Sequence, residues 1–263
     1  MIINTTRANH YHITNKTINY LFMLIFFISP ADAKKNTYNY HVNNHRNYQQ
    51  TKLLARQIFE DAKISFYCGC KFDQDLLVHL PSCKYIPQKH TKKPMKIEWE
   101  HIVPASYFGK QMKSGCWTKK PCSIKNNKVT GRKCCLLIDP LYRTMHNDLH
   151  NLVPSIAEIN AARKDYRFGY VNNKEQKYKS CPIKIDPNLK IVEPRDEVKG
   201  IIARVYLYYY TTYNIFITPN QLILFKKWNN QFPPTPFEFM WNNKVAQIQK
   251  NDNEFIINYK NNL

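Results

Sequence analysis

A chain of 263 residues suits one domain or at most two, and with 43% hydrophobic and 14% aromatic residues it can bury a real core, which excludes a chain that is disordered throughout. Against 19 Asp and Glu stand 39 Lys and Arg, a net charge of +20. That excess points to a polyanionic partner (nucleic acid, an anionic membrane surface or acidic glycans), with a merely solvated basic surface as the alternative.

In chain order, residues 19–28 (NYLFMLIFFI) form an apolar run of signal-peptide length, too short to span a bilayer comfortably. Arg7 and Lys16 precede it, and Ala31 and Ala33 give an A-x-A pattern before a cleavage point, so residues 1–33 read as a signal peptide, with an uncleaved anchor as the alternative. No later segment looks transmembrane, which places the product in the periplasm or outside the cell and off the membrane once the signal is cut. Residues 34–50 are polar, Asn-rich and aperiodic, a disordered leader. A single domain is expected over 51–263. Leu53, Leu54, Ile58 and Phe59 predict a short amphipathic helix at its start. Residues 63–96, with Pro81, Pro87 and Pro94, predict short strands and turns, and 110–140 a long Gly-, Asn-, Lys- and Cys-rich loop. From Pro154 the pattern reads as helical, with Ser155 and Glu158 as a capping box. Residues 195–213 predict a buried helix whose tyrosines belong to the core, and Thr218-Pro219 opens another, with Gln221 at its third position, ending near Asn230. Pro233-Pro234 stops it.

Eight cysteines follow the apolar run: Cys68, Cys70, Cys83, Cys116, Cys122, Cys134, Cys135 and Cys181. An even number in an exported chain indicates disulfides. A structural zinc site is the alternative, but Cys68-Gly69-Cys70 has one intervening residue where a zinc knuckle has two to four.

The chemistry concentrates in EWEHIVPAS at 98–106, DLHNLVP at 148–154 and AEIN at 157–160. A strand bearing His, a turn bearing Asn and a helix bearing an amide resemble the skeleton of a ββα-metal nuclease. The residue types suit phosphodiester hydrolysis. Histidine is the natural base for a water near neutral pH, and oxygen donors suit a hard cation that offsets charge on the phosphorane. Glu100 and His101 are adjacent, so on a strand they point to opposite faces. They serve one site only if the strand ends or bends there, and Pro104 is consistent with that.

EWEHIVPA, DLHNLVP, AEIN and KGIIARVYLYY, in this order and spacing, resemble the bacterial endonuclease I family, over about Phe66 to Gln249. The resemblance implies an α+β fold with a central ββα-metal motif, several helices in the C-terminal half and disulfide-stapled loops. It implies an exported endonuclease, dependent on Mg²⁺ (Mn²⁺ or Ca²⁺ being other candidates), that cuts double- and single-stranded DNA and also RNA without sequence preference. The products would carry 5′-phosphate and 3′-hydroxyl ends, and the enzyme would act as a monomer. The general base falls on His101, the metal carboxylate on Glu100, the metal amide on Asn160 and the phosphate-holding arginine on Arg132, in TGRKCC. Asn151 falls on a residue that braces the two strands without touching metal.

Three departures accompany this resemblance. Residues PCSIKNNKV form an insertion bringing Cys122, and Cys134 is also extra, while two family cysteines near Phe239 and beyond Gln249 are absent. Bridges Cys122–Cys134 and Cys116–Cys135 are therefore expected. His146 stands where the family has a carboxylate, and Ala161-Ala162 follows Asn160 where it has Gly-Asp. These bear on what surrounds the metal ligands and on metal preference. Two other readings are an inactive DNA-capture protein, which has no use for an aligned base and metal ligands, and a secreted zinc hydrolase, for which no H-E-x-x-H occurs.

Overall fold

The structure, a computed structural model, describes residues 46–83, 85–88, 95–119, 121–124, 127–172, 178 and 180–259. All of them belong to one compact unit, 39–263. The expected signal peptide and residues 34–45 of the leader lie outside the described residues. Among those described, no helix is long and apolar enough to cross a membrane.

Helix α1 (Tyr48–Ile58) begins inside the segment read as leader. Its start is fixed by a polar signal that the apolar period does not report: the Asn47 side chain accepts from the Gln50 amide while the Gln50 side chain accepts from that of Asn47. Between α1 and the first strand lie a 3-10 turn (Leu80–Ser82) and isolated bridges, among them Leu77 to Lys96, as the prolines there suggest. Then follow β1 (Ile97–His101), α2 (Ala105–Gly109), β2 (Cys122–Ile124), β3 (Asn127–Val129), α3 (Arg132–Ile138) and α4 (Pro140–His146). The region read as one long loop thus contains a hairpin and a helix. Cys116–Cys135 ties the helix to the preceding turn and Cys122–Cys134 ties the hairpin to the helix, the two pairings expected.

A 3-10 turn (Leu149–Asn151) leads into β4 (Leu152–Ile156), which pairs antiparallel with β1 in the register Glu100 to Val153 and His101 to Leu152. Helix α5 (Ala157–Arg163) starts directly after it, completing a ββα unit. The expected helix from Pro154 with a Ser155 cap is corrected here. The ladder runs through Ile97 to Ile156, so Pro154 and Ser155 are strand residues, and α5 has no side-chain cap. Glu158 instead accepts from the Tyr85 hydroxyl at 2.7 Å and from the Gln88 amide. Tertiary pairing overrides the local capping signal.

Strands β5 (Arg167–Phe168), β6 (Lys184–Asp186) and β7 (Ile191–Glu193) form a small sheet in the order β5-β7-β6. The rest is helical: α6 (Asp196–Tyr213), α7 (Pro219–Gln231), α8 (Pro236–Gln249) and α9 (Glu254–Ile257). The composition is therefore α+β, with the helices weighted to the C-terminal half.

Helix α6 is the central buried element. Its interior faces carry Ile202, Val205, Tyr206 and Tyr209, and the Tyr206 ring stacks on Phe225 of α7 at 4.3 Å. Each such aromatic contributes roughly 1.5–3 kcal/mol through burial. Its one buried arginine, Arg204, pairs with Glu238 through two 2.7 Å bonds and donates to the Phe232 carbonyl at 2.8 Å. Gly200 lets this helix pass the α7–α8 connection, because a Cβ there would meet the Phe232 carbonyl oxygen at 2.2 Å. The Thr218 start of α7 holds, but Gln221 does not close the cap: its amide donates to the Phe168 carbonyl at 2.8 Å.

Bridges Cys68–Cys181 and Cys70–Cys83 staple the N-terminal turns. The Cys122–Cys134 bridge spans 12 residues, and in the chain-entropy model a loop of that size contributes about 3 kcal/mol. Replacing both cysteines by serine is expected to lower the urea midpoint by that equivalent in oxidised protein, and to leave the two variants alike after reduction.

Candidate active site

The site forms where β1 ends and α5 begins. His101 is the last residue of β1 and is buried. Its Nε2 lies 2.8 Å from the His146 carbonyl oxygen. A carbonyl only accepts, so Nε2 carries the ring proton and Nδ1 keeps the lone pair. Burial drives the pKa of His101 down to about 4; the bond to the His146 carbonyl opposes this, and the charges of Arg132 and Arg163 add to it. The ring is thus neutral, in its basic form, at neutral pH.

Glu100 is also buried, but its carboxylate is divided. The Tyr67 hydroxyl donates to Oε1 at 3.1 Å, and Arg163 approaches the same oxygen at 3.1 Å. Both anchors fall on one oxygen, which leaves Oε2 as the atom available to another partner. Burial raises the carboxyl pKa to about 7, against the pull of Arg163 and the Tyr67 hydroxyl.

Arg163 closes α5 and is 1% exposed. Besides Glu100 it binds the His101 carbonyl at 3.1 Å and the Ile102 carbonyl at 2.6 Å, and its guanidinium lies 4.7 Å from the centre of the Phe168 ring. One planar fork thus fixes the Glu100 carboxylate and the backbone that follows the His101 Cα.

Asn160, on α5, donates through Nδ2 to Glu98 Oε2 at 3.1 Å. That bond commits the amide nitrogen and leaves Oδ1 as an acceptor. Asn151 is fully buried, and its side chain clamps Val103 by both ends, accepting from the amide at 2.7 Å and donating to the carbonyl at 3.0 Å. It holds the chain leaving β1 and does not line the groove.

Arg132 opens α3 behind Gly131, whose φ of 71° is a left-handed conformation that favours glycine. The Cys116–Cys135 and Cys122–Cys134 bridges anchor that short helix. Glu100, His101, Arg132 and Asn160 all line one groove of about 420 Å³. Residues from both faces of β1 share it. That answers the opposed directions of Glu100 and His101: the groove passes round the end of the strand.

Four contributors were not found from the sequence. Tyr67 is 33 positions from Glu100, and nothing local connects them. Tyr48 sat in the segment read as leader; its ring stacks near that of His101, 5.8 Å between centres. Glu98 had a usable signal, being two residues before Glu100 on a strand and so on the same face. Arg163 also had one, three residues after Asn160 on a helix, but its burial reversed the expectation for an arginine. Two of the departures lie beside this site. Ala161 lines the groove, and His146 packs against His101 with ring centres 4.7 Å apart. Neither ring nitrogen of His146 has a hydrogen-bond partner, and burial first, then His101 and Arg132, push its pKa to about 2. It is a neutral ring packed behind His101.

A ββα unit presenting an imidazole, a carboxylate and an amide in a groove beside an arginine has the form of a ββα-metal nuclease site. The chain belongs to the endonuclease I family: the family model for Endonuclease I matches residues 32–259. It is 36% identical to Endonuclease-1 of Buchnera aphidicola subsp. Acyrthosiphon pisum over 235 residues, covering 88% of this chain and 87% of that protein. It is 35% identical to an extracellular deoxyribonuclease of Aeromonas hydrophila, covering 80% and 88%, and 34% identical to a periplasmic deoxyribonuclease of the same organism, covering 80% and 84%. The chain is a nuclease, and the expected location, periplasmic or secreted, agrees with these designations.

Removing Arg163 leaves Glu100 buried and two carbonyls unpaired. Arg163→Met is expected to cost about 3–5 kcal/mol in urea unfolding, and Glu100→Gln with Arg163→Met together less than the sum of the two. Strict additivity would show that the pair does not couple.

Proposed function

We propose that this protein is an exported endonuclease that hydrolyses DNA, and RNA as well, with Mg²⁺ as cofactor and without sequence preference. The observation that carries this is the fixed tautomer of His101: Nε2–H is spent on the His146 carbonyl, so the free Nδ1 lone pair is the base. In the groove it takes a proton from a water that attacks phosphorus. The bond from phosphorus to the 3′ oxygen breaks, that oxygen takes a proton from solvent, and the products are 5′-phosphate and 3′-hydroxyl. Arg132, on the rim of the same groove, suits bidentate contact with the phosphate under attack.

The donor set fits a hard divalent cation. Glu100 Oε2 and Asn160 Oδ1 are each left over after their partner atoms are committed to protein groups. One carboxylate and one amide carbonyl suit Mg²⁺, which keeps most of its waters; Mn²⁺ and Ca²⁺ are alternatives with the same donor preference. When bound, the cation offsets charge on the phosphorane and on the leaving oxygen. Non-specificity is supported by the nature of the contacts. Phosphate contacts position a strand but carry no sequence information, and the net charge of +20 favours them. The protein is expected to act as a monomer.

With purified oxidised protein, plasmid nicking is expected with Mg²⁺ and not with EDTA. His101→Ala is expected to lower kcat by at least ~100-fold while DNA affinity in EDTA stays within a few-fold. Nicking by that variant at the unmodified rate would remove His101 as the base. DNA binding without nicking under any divalent metal would make the protein a binder. Glu100→Gln is expected to raise the Mg²⁺ concentration needed for half-maximal rate by about 10–100-fold, the range for loss of a metal-site group.

A further inference from the structure

A second groove of about 600 Å³ adjoins the first and shares Tyr48, Trp99, Arg132 and Asn160 with it. The two are continuous, so whatever enters the first extends into the second. Its outer wall is α1. Tyr48, Lys52 and Arg56 all line it, and their spacing of four residues puts them in one row along the helix face. The row rises about 6 Å per step, comparable to the separation of neighbouring phosphates along one strand.

Two further features argue against a chance run of surface charge. First, the cations are tethered at the rim. Lys52 Nζ lies 5.3 Å from the centre of the Tyr48 ring, and Arg56 donates one guanidinium nitrogen to the Gln74 carbonyl. Second, α1 is bolted to the turn that orients the base. Thr51 donates to Asn147 Oδ1 at 3.2 Å, and Asn147 Nδ2 donates to the Arg46 carbonyl at 2.9 Å. Asn147 follows His146, whose carbonyl holds His101. The helix position is therefore fixed relative to the catalytic imidazole, as a substrate-guiding wall requires. Glu98 also lines this groove, but its carboxylate is engaged by the Asn160 amide.

We infer that Lys52 and Arg56 of α1 bind successive phosphates of the substrate strand on one side of the scissile bond, with Tyr48 between them and the active site. This rests on the nuclease reading above and extends it to a second contact region. The strand leaves the cleavage groove along α1, with sugars over Leu53 and Leu76 and phosphates toward the two cations.

The test uses the full oxidised protein and a fluorescent DNA duplex of about two helical turns, titrated in EDTA at several salt concentrations. Two phosphate contacts contribute about 1.8 to the slope of log K against log salt. Lys52→Gln with Arg56→Gln is expected to reduce the slope by that amount, to weaken binding about ten-fold near 0.1 M salt, and to raise KM similarly in Mg²⁺ with kcat changed less than two-fold. Lys52→Gln alone, at a half-buried position where the side-chain length is kept and thermal unfolding checks that the fold is unchanged, is expected to reduce the slope by about 0.9. Lys226→Gln with Lys227→Gln on α7, which removes the same charge elsewhere, is expected to leave the slope unchanged. An unchanged slope in the α1 variants, or an equal drop in the α7 control, overturns the inference. Because the slope is read without cleavage, failure of the unmodified protein to nick DNA would sink the nuclease reading separately.

Discussion

Arg163 is a cation held out of water at the junction of β1 and α5, the two elements that carry most of the candidate site. Its fork touches the Glu100 carboxylate and the carbonyls of His101 and Ile102. A buried guanidinium is costly unless its charge is paired, so the pairing of the two terminal nitrogens of Arg163, whose Nε stays without a partner, dictates how the end of β1 lies against the end of α5. The consequence is directional. By occupying Oε1 of Glu100 together with Tyr67, it leaves Oε2 for another partner, and by holding the backbone it fixes where the His101 side chain starts. Positioning of this kind costs nothing at the moment of reaction, which is where preorganised sites gain rate.

The opposite side of His101 is held with equal care. Its Nε2 proton goes to the carbonyl of His146, and that carbonyl belongs to a turn clamped from behind by α6. Tyr209 donates to the Met145 carbonyl at 2.7 Å, and Tyr208 and Tyr213 both donate to Asp148 Oδ2. Asp148 is fully buried, and its other oxygen accepts from the His150 amide and from Gln249. The tyrosine-rich helix is therefore core, but core with an assignment: its hydroxyls set the position of the turn that sets the tautomer of His101.

The order of motifs along the chain carried most of the site. Glu100, His101, Arg132 and Asn160 come together in one groove because a strand, a stapled helix and the helix of a ββα unit converge, and short motifs identify such elements well. What stayed hidden has a common cause. Ser155 and Glu158 make a plausible cap locally, but pairing of Ile156 with Ile97 decides the issue from 59 residues away. Tyr67 and Arg163 act through burial, which composition and periodicity do not reveal for a single polar side chain. Tyr48 belonged to a stretch whose Asn-rich character suggested disorder, while its helix depends on a two-residue capping box and on a bond from Thr51 to Asn147, far along the chain.

His146 shows how a departure from a family pattern acts through charge. The resemblance places a carboxylate at this position, and here the ring beside His101 is a neutral imidazole, 4.7 Å from it between centres. At an effective dielectric near 20, a carboxylate at that distance would favour the protonated form of His101 by about 3.5 kcal/mol, or roughly two and a half pKa units. With His146 in its place, burial and the neighbouring arginines outweigh the bond to the His146 carbonyl and the charge of Asp148, and the pKa of His101 falls to about 4. In the role proposed for His101, a weaker base would abstract a proton less readily but would be free of its own proton across a wider range of pH. On that reading the substitution trades intrinsic basicity for constant availability, and it acts from a position that does not itself line the groove.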